Sequence, residues 1–537
     1  MGPPGYSTER KEAEGDTLVI ALDFGTTFSG IAYAFSTDPE EIYPITNWPG
    51  GEDRIAPKTP TAIRYGRSLD VKWGYQLDLT LSDNIMGLKL LLDPEQKRPY
   101  YIPTDIKAEM AKLPKSVLDV AADYMKAIFS HALQEIVSDA IDPSFVACYH
   151  KKFMLTVPAV WSDKAKDLTL RAGDAIVICD AGGGTVDLVS YEILSLDPFE
   201  LKALTAPSGG ICGSMMVNKL FEEEIKKVVG DSAYAELKKT PAYRCALRDF
   251  DGAIKPAFRG RNDPDRFVSF PMAGLEDNPA RGLLSNSMTL SGDTMFRIFD
   301  PIAREIEKLV SEQVSSVRME RLQLKSKTKS AVKAIFLVGG FGSSAYLKQV
   351  IEKSNPGILV IQPREAWSAI VRGAVMSKLG IAPVVKTTKA PKHYGSSANS
   401  TWNSSRDRGH LKIWDKWAEV EKCKTMSWFI YRGEDLVRGK KIKLPFYRSL
   451  GGSYPRGREL QFVDHLYECN ALLAPAHPNG DLSAAPRTCF TTKQRPSDGE
   501  FYTEIHYHLV IENDSSGLMK FSLEVDGKEC GTVNAKY

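Results

Sequence analysis

Short apolar runs ending in glycine turns alternate with amphipathic helical stretches from Leu18 to about Leu379. "LVIALDFG", "GIAYAF", "TAIRY" and "KFMLTVPAVW" read as strands, the first a buried one ending in turn residues. Ser116 to Asp139, "SVLDVAADYMKAIFSHALQEIVSD", predicts a long helix. Its apolar residues Val117, Ala121, Met125, Ile128, Ala132 and Ile136 recur at helical spacing, and Ser116 is placed to cap it. "MMVNKLFEEEIKKVV" and "FRIFDPIAREIEKLVSEQV" predict two more helices, the second with Pro301 near its middle. "AIFLVGG" reads as a buried strand and "SAYLKQVIEK" as the helix after it. The alternation predicts an α/β architecture of at least two layers.

Near Ile381 the pattern breaks. "APVVKTTKAPKHYGSSANSTWNSSRDRGH" is rich in Lys, Ser, Asn and Pro and reads as a linker. Beyond it, "MSWFIYRG", "KIKLPFY", "RELQFVDHLYEC", "FYTEIHYHLVIEN" and "LMKFSLEVDG" alternate with turn residues, which predicts a β-rich C-terminal domain. His506 and His508 share one strand face there, but no third ligand is evident, and surface or interface histidines are the reading preferred over a metal pair. The boundaries expected are a disordered lead over 1–16, a first lobe over 17–172, a second over 173–380, a linker over 381–410 and the β-rich domain over 411–537.

The bulk properties narrow the function. At 537 residues the chain has room for roughly three or four domains of ~150 residues, and with 43% hydrophobic residues it has material for large cores. A formal charge of +2 gives no general reason to expect nucleic acid or an anionic membrane as partner. No apolar run reaches the ~18 residues of a membrane span. The polar N-terminus has no apolar signal core. Eight scattered cysteines without a CxxC pair fit reduced thiols, and a cytoplasmic or nuclear location is expected.

Candidate chemistry lies in three glycine loops. "DAGGGTVDL" places Gly182, Gly183 and Gly184 between Asp180 and Asp187, behind the strand-like "AIVIC". Bare glycines let main-chain N–H groups approach an oxyanion, and Thr185 offers a hydroxyl beside them. Two carboxylates cannot themselves hold an anion. They make sense with a divalent cation between, since Mg²⁺ favours hard oxygen ligands. The plainer alternative is a bulged hairpin between buried strands. A second copy, "ALDFGTTFSGIAYAF", repeats the grammar with Asp23, Gly25, Thr26 and Thr27, about 155 residues earlier. A third loop, "FLVGGFGSSAYL", puts Gly339, Gly340 and Gly342 before a helix expected to begin near Ser343, which suits an anion or a nucleotide's sugar and base.

In this order the three loops resemble phosphate 1, phosphate 2 and the adenosine motif of the actin, sugar kinase and heat-shock protein 70 superfamily. "ALDFGTTFSGIAY", "MLTVPAVWSD", "CDAGGGTVDL", "FRIFDPIAREIEKLV" and "AIFLVGGFGSSAYL" are most similar to the chaperone ATPase domain. The whole, with "MSWFIYRGEDL" late in the chain, resembles the divergent heat-shock protein 70-like proteins with an actin-like ATPase domain. The resemblance covers about residues 17–380 and implies two ribonuclease H-like lobes around ATP and Mg²⁺. It gives Gly25, Thr26 and Thr27 to the β/γ-phosphates and Asp23 and Asp180 to the water shell of the metal. Gly182, Gly183, Gly184 and Thr185 would cradle the γ-phosphate, with Asp187 orienting water. Gly339, Gly340, Gly342 and Ser343 would line the adenosine side. In "RDFDGAIKPAF", Lys255 matches a residue touching adenine, and Asp251 matches more weakly. Pro158 and Lys166 match residues that relay nucleotide state.

Three departures qualify what is implied. The nearest counterpart of the family's catalytic lysine is Lys89 of "NIMGLKLLLD", displaced from the expected place. "WSDKAKDLTLRA" runs straight into "GDAIVICD", where the family has a further strand, a Glu-Pro segment and a crossover helix. The last ~150 residues do not resemble the chaperone peptide-binding domain, whose apolar linker is also absent. The expected function is therefore ATP binding with slow or absent hydrolysis, and a client or partner protein reached through the C-terminal domain. A non-enzymatic scaffold and a sugar kinase of the same fold remain open.

Overall fold

The computed structural model describes residues 16–51, 55–66, 70–79, 81, 83–92, 105–137, 143–155, 171–196, 199–323, 332–363, 366–379, 384–390, 392–451, 464–469, 471, 473–478, 483–484, 489–494, 501–513, 519–525 and 528–533. They are a mixture of helices and several sheets, falling into two compact units: residues 1–189 with 208–383, and 190–207 with 384–537. Pro158 and Lys166 lie outside the described residues.

In the first unit, Thr17–Asp23 forms an antiparallel hairpin with Phe28–Phe35 and runs parallel to His150–Leu155 on its other side. Alternate residues of the first strand face opposite ways, and both faces are covered. Leu18, Ile20 and Leu22 join a core with Tyr124, Ile128 and Ala132 of the helix Val117–Ile136. Val19 and Ala21 meet Val371 and Val375 of the helix Ala369–Leu379. Covering on both sides explains why "LVIAL" is continuously apolar rather than alternating. The helix Val117–Ile136 starts as expected. The Asp119 backbone N–H donates to the Ser116 hydroxyl, and the Ser116 N–H donates to the Asp119 carboxylate, which closes a capping box.

A second sheet repeats this plan. Ala175–Ala181 is followed by the strand Val186–Leu196, and its other neighbour, Val332–Val338, runs parallel to it, with Leu359–Ile361 parallel beyond. The helices Met215–Val229 and Gly292–Gln323 pack together in the same unit and bury Phe221, Ile225, Phe299, Ile302, Ile306 and Val310. Pro301 lies inside the long helix on its exposed side. Both sheets thus present a hairpin with an aspartate at or next to the end of its leading strand, beside a parallel neighbour.

In the second unit, His393–Thr401 pairs with Val420–Ile430 and with Asp464–Cys469. Another sheet is built on Phe501–Asn513, which pairs with Lys441–Gly451, Cys489–Gln494 and Met519–Val525. The stretch 381–410, read from its composition as a linker, carries two strands, Val384–Lys389 and His393–Thr401. A chain rich in Ser and Asn can still occupy a sheet where its neighbours demand small side chains. Gly395 lies so close to Trp428 that a Cβ would sit 2.7 Å from the indole, and Ser396 is buried. The predicted strands after residue 411 are present where they fall on described residues, and His506 is exposed.

Candidate functional site

The site grows from the two hairpin turns. Asp23 closes the strand Thr17–Asp23 opposite Gly30, and the chain turns through Phe24–Thr27. In the second hairpin the Gly182 N–H donates to the Thr185 carbonyl, closing the Gly182–Thr185 turn at 2.9 Å. Carbonyls of Gly182 and Gly183 accept the N–H groups of Ser214 and Met215, which docks the turn onto the start of the helix Met215–Val229.

The turns touch each other. A Cβ on Gly183 would collide with the Thr27 side chain, and one on Gly184 would come within 2.7 Å of Thr26. The bare backbone of the triple glycine is used, in this arrangement, to admit the facing threonines. The third loop arrives at the same place. Gly339 has φ of +81°, and a Cβ there would collide with the Asp180 carboxylate. Gly340 packs on Trp367, whose ring meets Phe28 edge-on at 5.9 Å. Gly342 is buried, its carbonyl accepting from the Gln362 amide at 2.7 Å. The Ser343 hydroxyl donates to the Gly340 carbonyl. The following helix is capped by Ser344, one residue later than the expected start.

Charge concentrates where the loops meet. Asp23 forms an ion pair with Lys58, Nζ to Oδ2, at 2.5 Å, and both residues are buried. Burial pushes the Asp180 carboxyl up to about 7, Asp23 and Asp187 adding to the rise while Lys58 and Lys89 oppose it. Asp187 is also raised, first by withdrawal from water, with Lys89 and the Thr185 hydroxyl (3.4 Å) pulling the other way. Three aspartates and two lysines therefore share one electrostatic neighbourhood. This donor set fits a magnesium ion, being made of hard carboxylate oxygens, and Asp180 is the group whose charged form most needs a further cation.

The structure brings together Asp23, Gly25, Thr26, Thr27, Lys89, Asp180, Gly182, Gly183, Gly184, Thr185, Asp187, Gly339 and Gly340 around these turns. It gives Lys255 other partners: its ammonium donates to Asn218 and Asp251, both at 2.8 Å. Lys58 is the residue that sequence reasoning missed. It precedes Thr59–Pro60, a short strand that pairs with Phe28–Phe35, and this tertiary pairing carries it to Asp23. Locally, "APKTP" carries a turn signal alone.

The site is thus a meeting of paired aspartate–glycine–threonine hairpins and a third glycine loop in a mixed α/β protein. No protein-family model matches the chain. The chain is 25% identical over 504 residues to heat shock 70 kDa protein 12B of Homo sapiens, with 71% of each chain covered. It is 24% identical over 497 residues to heat shock 70 kDa protein 12A of Mus musculus, covering 70% of this chain and 71% of the relative. Against the Homo sapiens 12A protein the identity is 23% over 511 residues, with 72% of each covered. The chain is thus similar, at low identity, to divergent heat-shock protein 70-like proteins. No helix among the described residues is long and apolar enough to cross a membrane.

Proposed function

We propose that this protein binds ATP with Mg²⁺ between two actin-like lobes built on the two aspartate hairpins, and hydrolyses it slowly or not at all. The observation that carries this reading is the meeting of all three glycine loops at Asp180, with Lys58 and Lys89 beside it. Residues 17–172 and 173–380 are read as the lobes, and the strands beyond residue 411 as a separate β-rich domain through which a client or partner protein is engaged.

The roles follow from the chemistry of each group. Main-chain N–H groups of the Gly25–Thr27 and Gly182–Thr185 turns suit phosphate oxygens, and the Thr26, Thr27 and Thr185 hydroxyls add donors. Since Gly183 and Gly184 now hold the facing threonines, the hairpins part for a phosphate to enter between them. Asp23 and Asp180 would hold magnesium through its water shell. When bound, the ion neutralises charge on the phosphates. Lys89 faces Asp187 electrostatically and is the cation suited to the transferred phosphoryl group, while Asp187 accepts a hydrogen bond from the attacking water. Lys58 holds the Asp23 carboxylate in place through their ion pair. Gly339, Gly340, Gly342 and Ser343 form the adenosine side. Lys255, tied to Asn218 and Asp251, would meet the adenine only by leaving those partners.

Slow turnover is read from the stretch that replaces the family's crossover. Arg171 and Asp174 close a tight turn, with Gly173 at φ of +91°, directly before the strand Ala175–Ala181. The Gly173 carbonyl is held by the Arg321 guanidinium at 2.8 Å. A lobe pair lacking one connection fixes its closing angle poorly, and hydrolysis depends on that angle more than binding does. A non-enzymatic, nucleotide-bound scaffold is the second reading, favoured by this same turn. Phosphate release from ATP, measured with and without added hexoses, separates the readings. Slow release indifferent to hexose supports the ATPase, hexose-dependent consumption supports a kinase, and binding with no release supports the scaffold.

A further inference from the structure

The second unit contains a cluster that the nucleotide site does not use. Three separate segments bring one oxygen, one sulfur and one nitrogen donor together. Asp407 comes from the turn-rich stretch after the strand His393–Thr401, Cys423 from the strand Val420–Ile430, and His477 from the segment 473–478. Their ligand atoms all lie within 4.8 Å of one another. Asp407 is fully buried and Cys423 nearly so, at 0% and 2% exposure. His477 has 13% of its side chain exposed, so the cluster is closed on the protein side and reachable past the imidazole.

The surroundings hold these groups in place. The Arg406 guanidinium donates to both Asp407 carboxylate oxygens, from Nε at 2.5 Å and from an Nη at 2.7 Å. The Asn403 N–H adds a third bond at 2.8 Å. Oδ1, which faces His477 Nε2 at 3.1 Å, keeps acceptor capacity on that side. The His410 ring stacks face to face on His477, centroids 3.5 Å apart and planes within 10°, which sets the imidazole's orientation. Among the described residues, Cys423 Sγ makes a long contact of 3.8 Å, to the Lys424 carbonyl. The bland reading is an Asp–His hydrogen bond beside an inert buried thiol. That reading accounts for two of the three residues and leaves the thiol's place unexplained.

We propose that Asp407, Cys423 and His477 form a binding site for a zinc-class divalent cation, with a water molecule as fourth ligand. Around a tetrahedral zinc, bond lengths of ~2.0–2.3 Å place donor atoms roughly 3.3–3.8 Å apart. The Asp407–His477 pair is already this close at 3.1 Å, so it is the Cys423 thiol that has to move in, by up to about 1 Å. One thiolate and one imidazole select a borderline or soft ion over magnesium, which requires oxygen donors. As the cation binds, the His477 Nε2 proton that faces Asp407 moves through solvent to Nδ1, so that the neutral imidazole coordinates through its Nε2 lone pair, and the thiol proton leaves to solvent as the sulfur coordinates. Arg406 and Asn403 then act as the outer groups that orient the carboxylate.

The test uses the full chain, stripped with a chelator and dialysed. Zinc content after reconstitution is measured by inductively coupled plasma mass spectrometry, and Co²⁺ is titrated as a spectroscopic stand-in. The expected result is one equivalent of zinc per chain and a thiolate-to-cobalt charge-transfer band with tetrahedral ligand-field absorption. Cys423→Ser, nearly isosteric, should abolish the band and weaken zinc by at least ~10-fold, and His477→Gln should weaken it comparably. Far-UV circular dichroism of each variant confirms that it is folded. A wild-type chain that takes up no zinc or cobalt overturns the site. So does a folded Cys423→Ser chain that binds as tightly as wild type and keeps the band.

Discussion

Lys58 and Asp23 form an ion pair at 2.5 Å whose side chains are 9% and 10% exposed. It anchors the first hairpin turn to the neighbouring Thr59–Pro60 strand. A buried charge left without its partner is strongly destabilising, whereas replacing both members with apolar groups is often neutral. Lys58→Met is therefore expected to lower unfolding stability by about 3–5 kcal/mol. The Lys58→Met/Asp23→Leu double variant should recover most of that loss. Urea unfolding at neutral pH measures both. A cost below ~1 kcal/mol for the single change would mean Asp23 finds water or another partner.

The close approach of Gly183 to Thr27 makes a separate prediction. Gly183→Ala drives a methyl group into the Thr27 side chain, and overpacking of this kind costs about 1–3 kcal/mol. Thr27→Gly in the same chain should relieve it, with a coupling energy of ~0.5–3 kcal/mol in a double-mutant cycle. Additive effects would show that the hairpins do not touch in solution.

Acid sensitivity should be visible at Asp123. Hydrogen bonds from the Lys115 ammonium (2.9 Å) and the Tyr65 hydroxyl (2.6 Å) hold its carboxyl below the usual range, against a smaller opposing effect of burial. A lowered folded-state pKa contributes stability that is present above the unfolded value, near 4, and lost as pH falls through the folded value. Asp123→Asn should thus be less stable than wild type at pH 7, and the gap should shrink as the pH drops below about 4. Thermal unfolding across that range checks the sign. A gap that stays constant down to pH 2 would contradict it.

How much of this was legible in the sequence depends on the range of each interaction. The hairpins could be read because an apolar strand, an aspartate and a glycine turn are adjacent in the chain. The helix start at Ser116 could be read because its capping box spans four residues. Lys58 could not, because "APKTP" carries only a local turn signal and its meaning comes from pairing with Phe28–Phe35. The strand His393–Thr401 was hidden for a different reason. Its Gly395, Ser396 and Ser397 are chosen for fit against Trp428 and neighbouring residues, so they lack the apolar alternation that marks a strand. Limited proteolysis should accordingly spare His393–Thr401, despite its linker-like composition, and early cuts inside it would count against the strand.

Turnover should respond to the tight turn before Ala175. Placing a crossover segment from a longer relative between Ala172 and Gly173 is expected to raise single-turnover ATP hydrolysis while changing affinity less. A misplacement of ~1 Å in a site of this kind lowers the rate by about 100-fold, which sets the size of the gain. Equal rates in the original and extended chains would remove the geometric explanation of slow hydrolysis.

Nucleotide is expected to bind where the three glycine loops meet at Asp180. Isothermal titration of the full chain with ATP, with and without Mg²⁺, tests it most directly when wild type is set beside Asp180→Lys. Folding of the variant is confirmed by circular dichroism. The expected result is saturable, Mg²⁺-dependent heat for wild type and none for Asp180→Lys. Indistinguishable heats from the two folded proteins would contradict the assignment of this site.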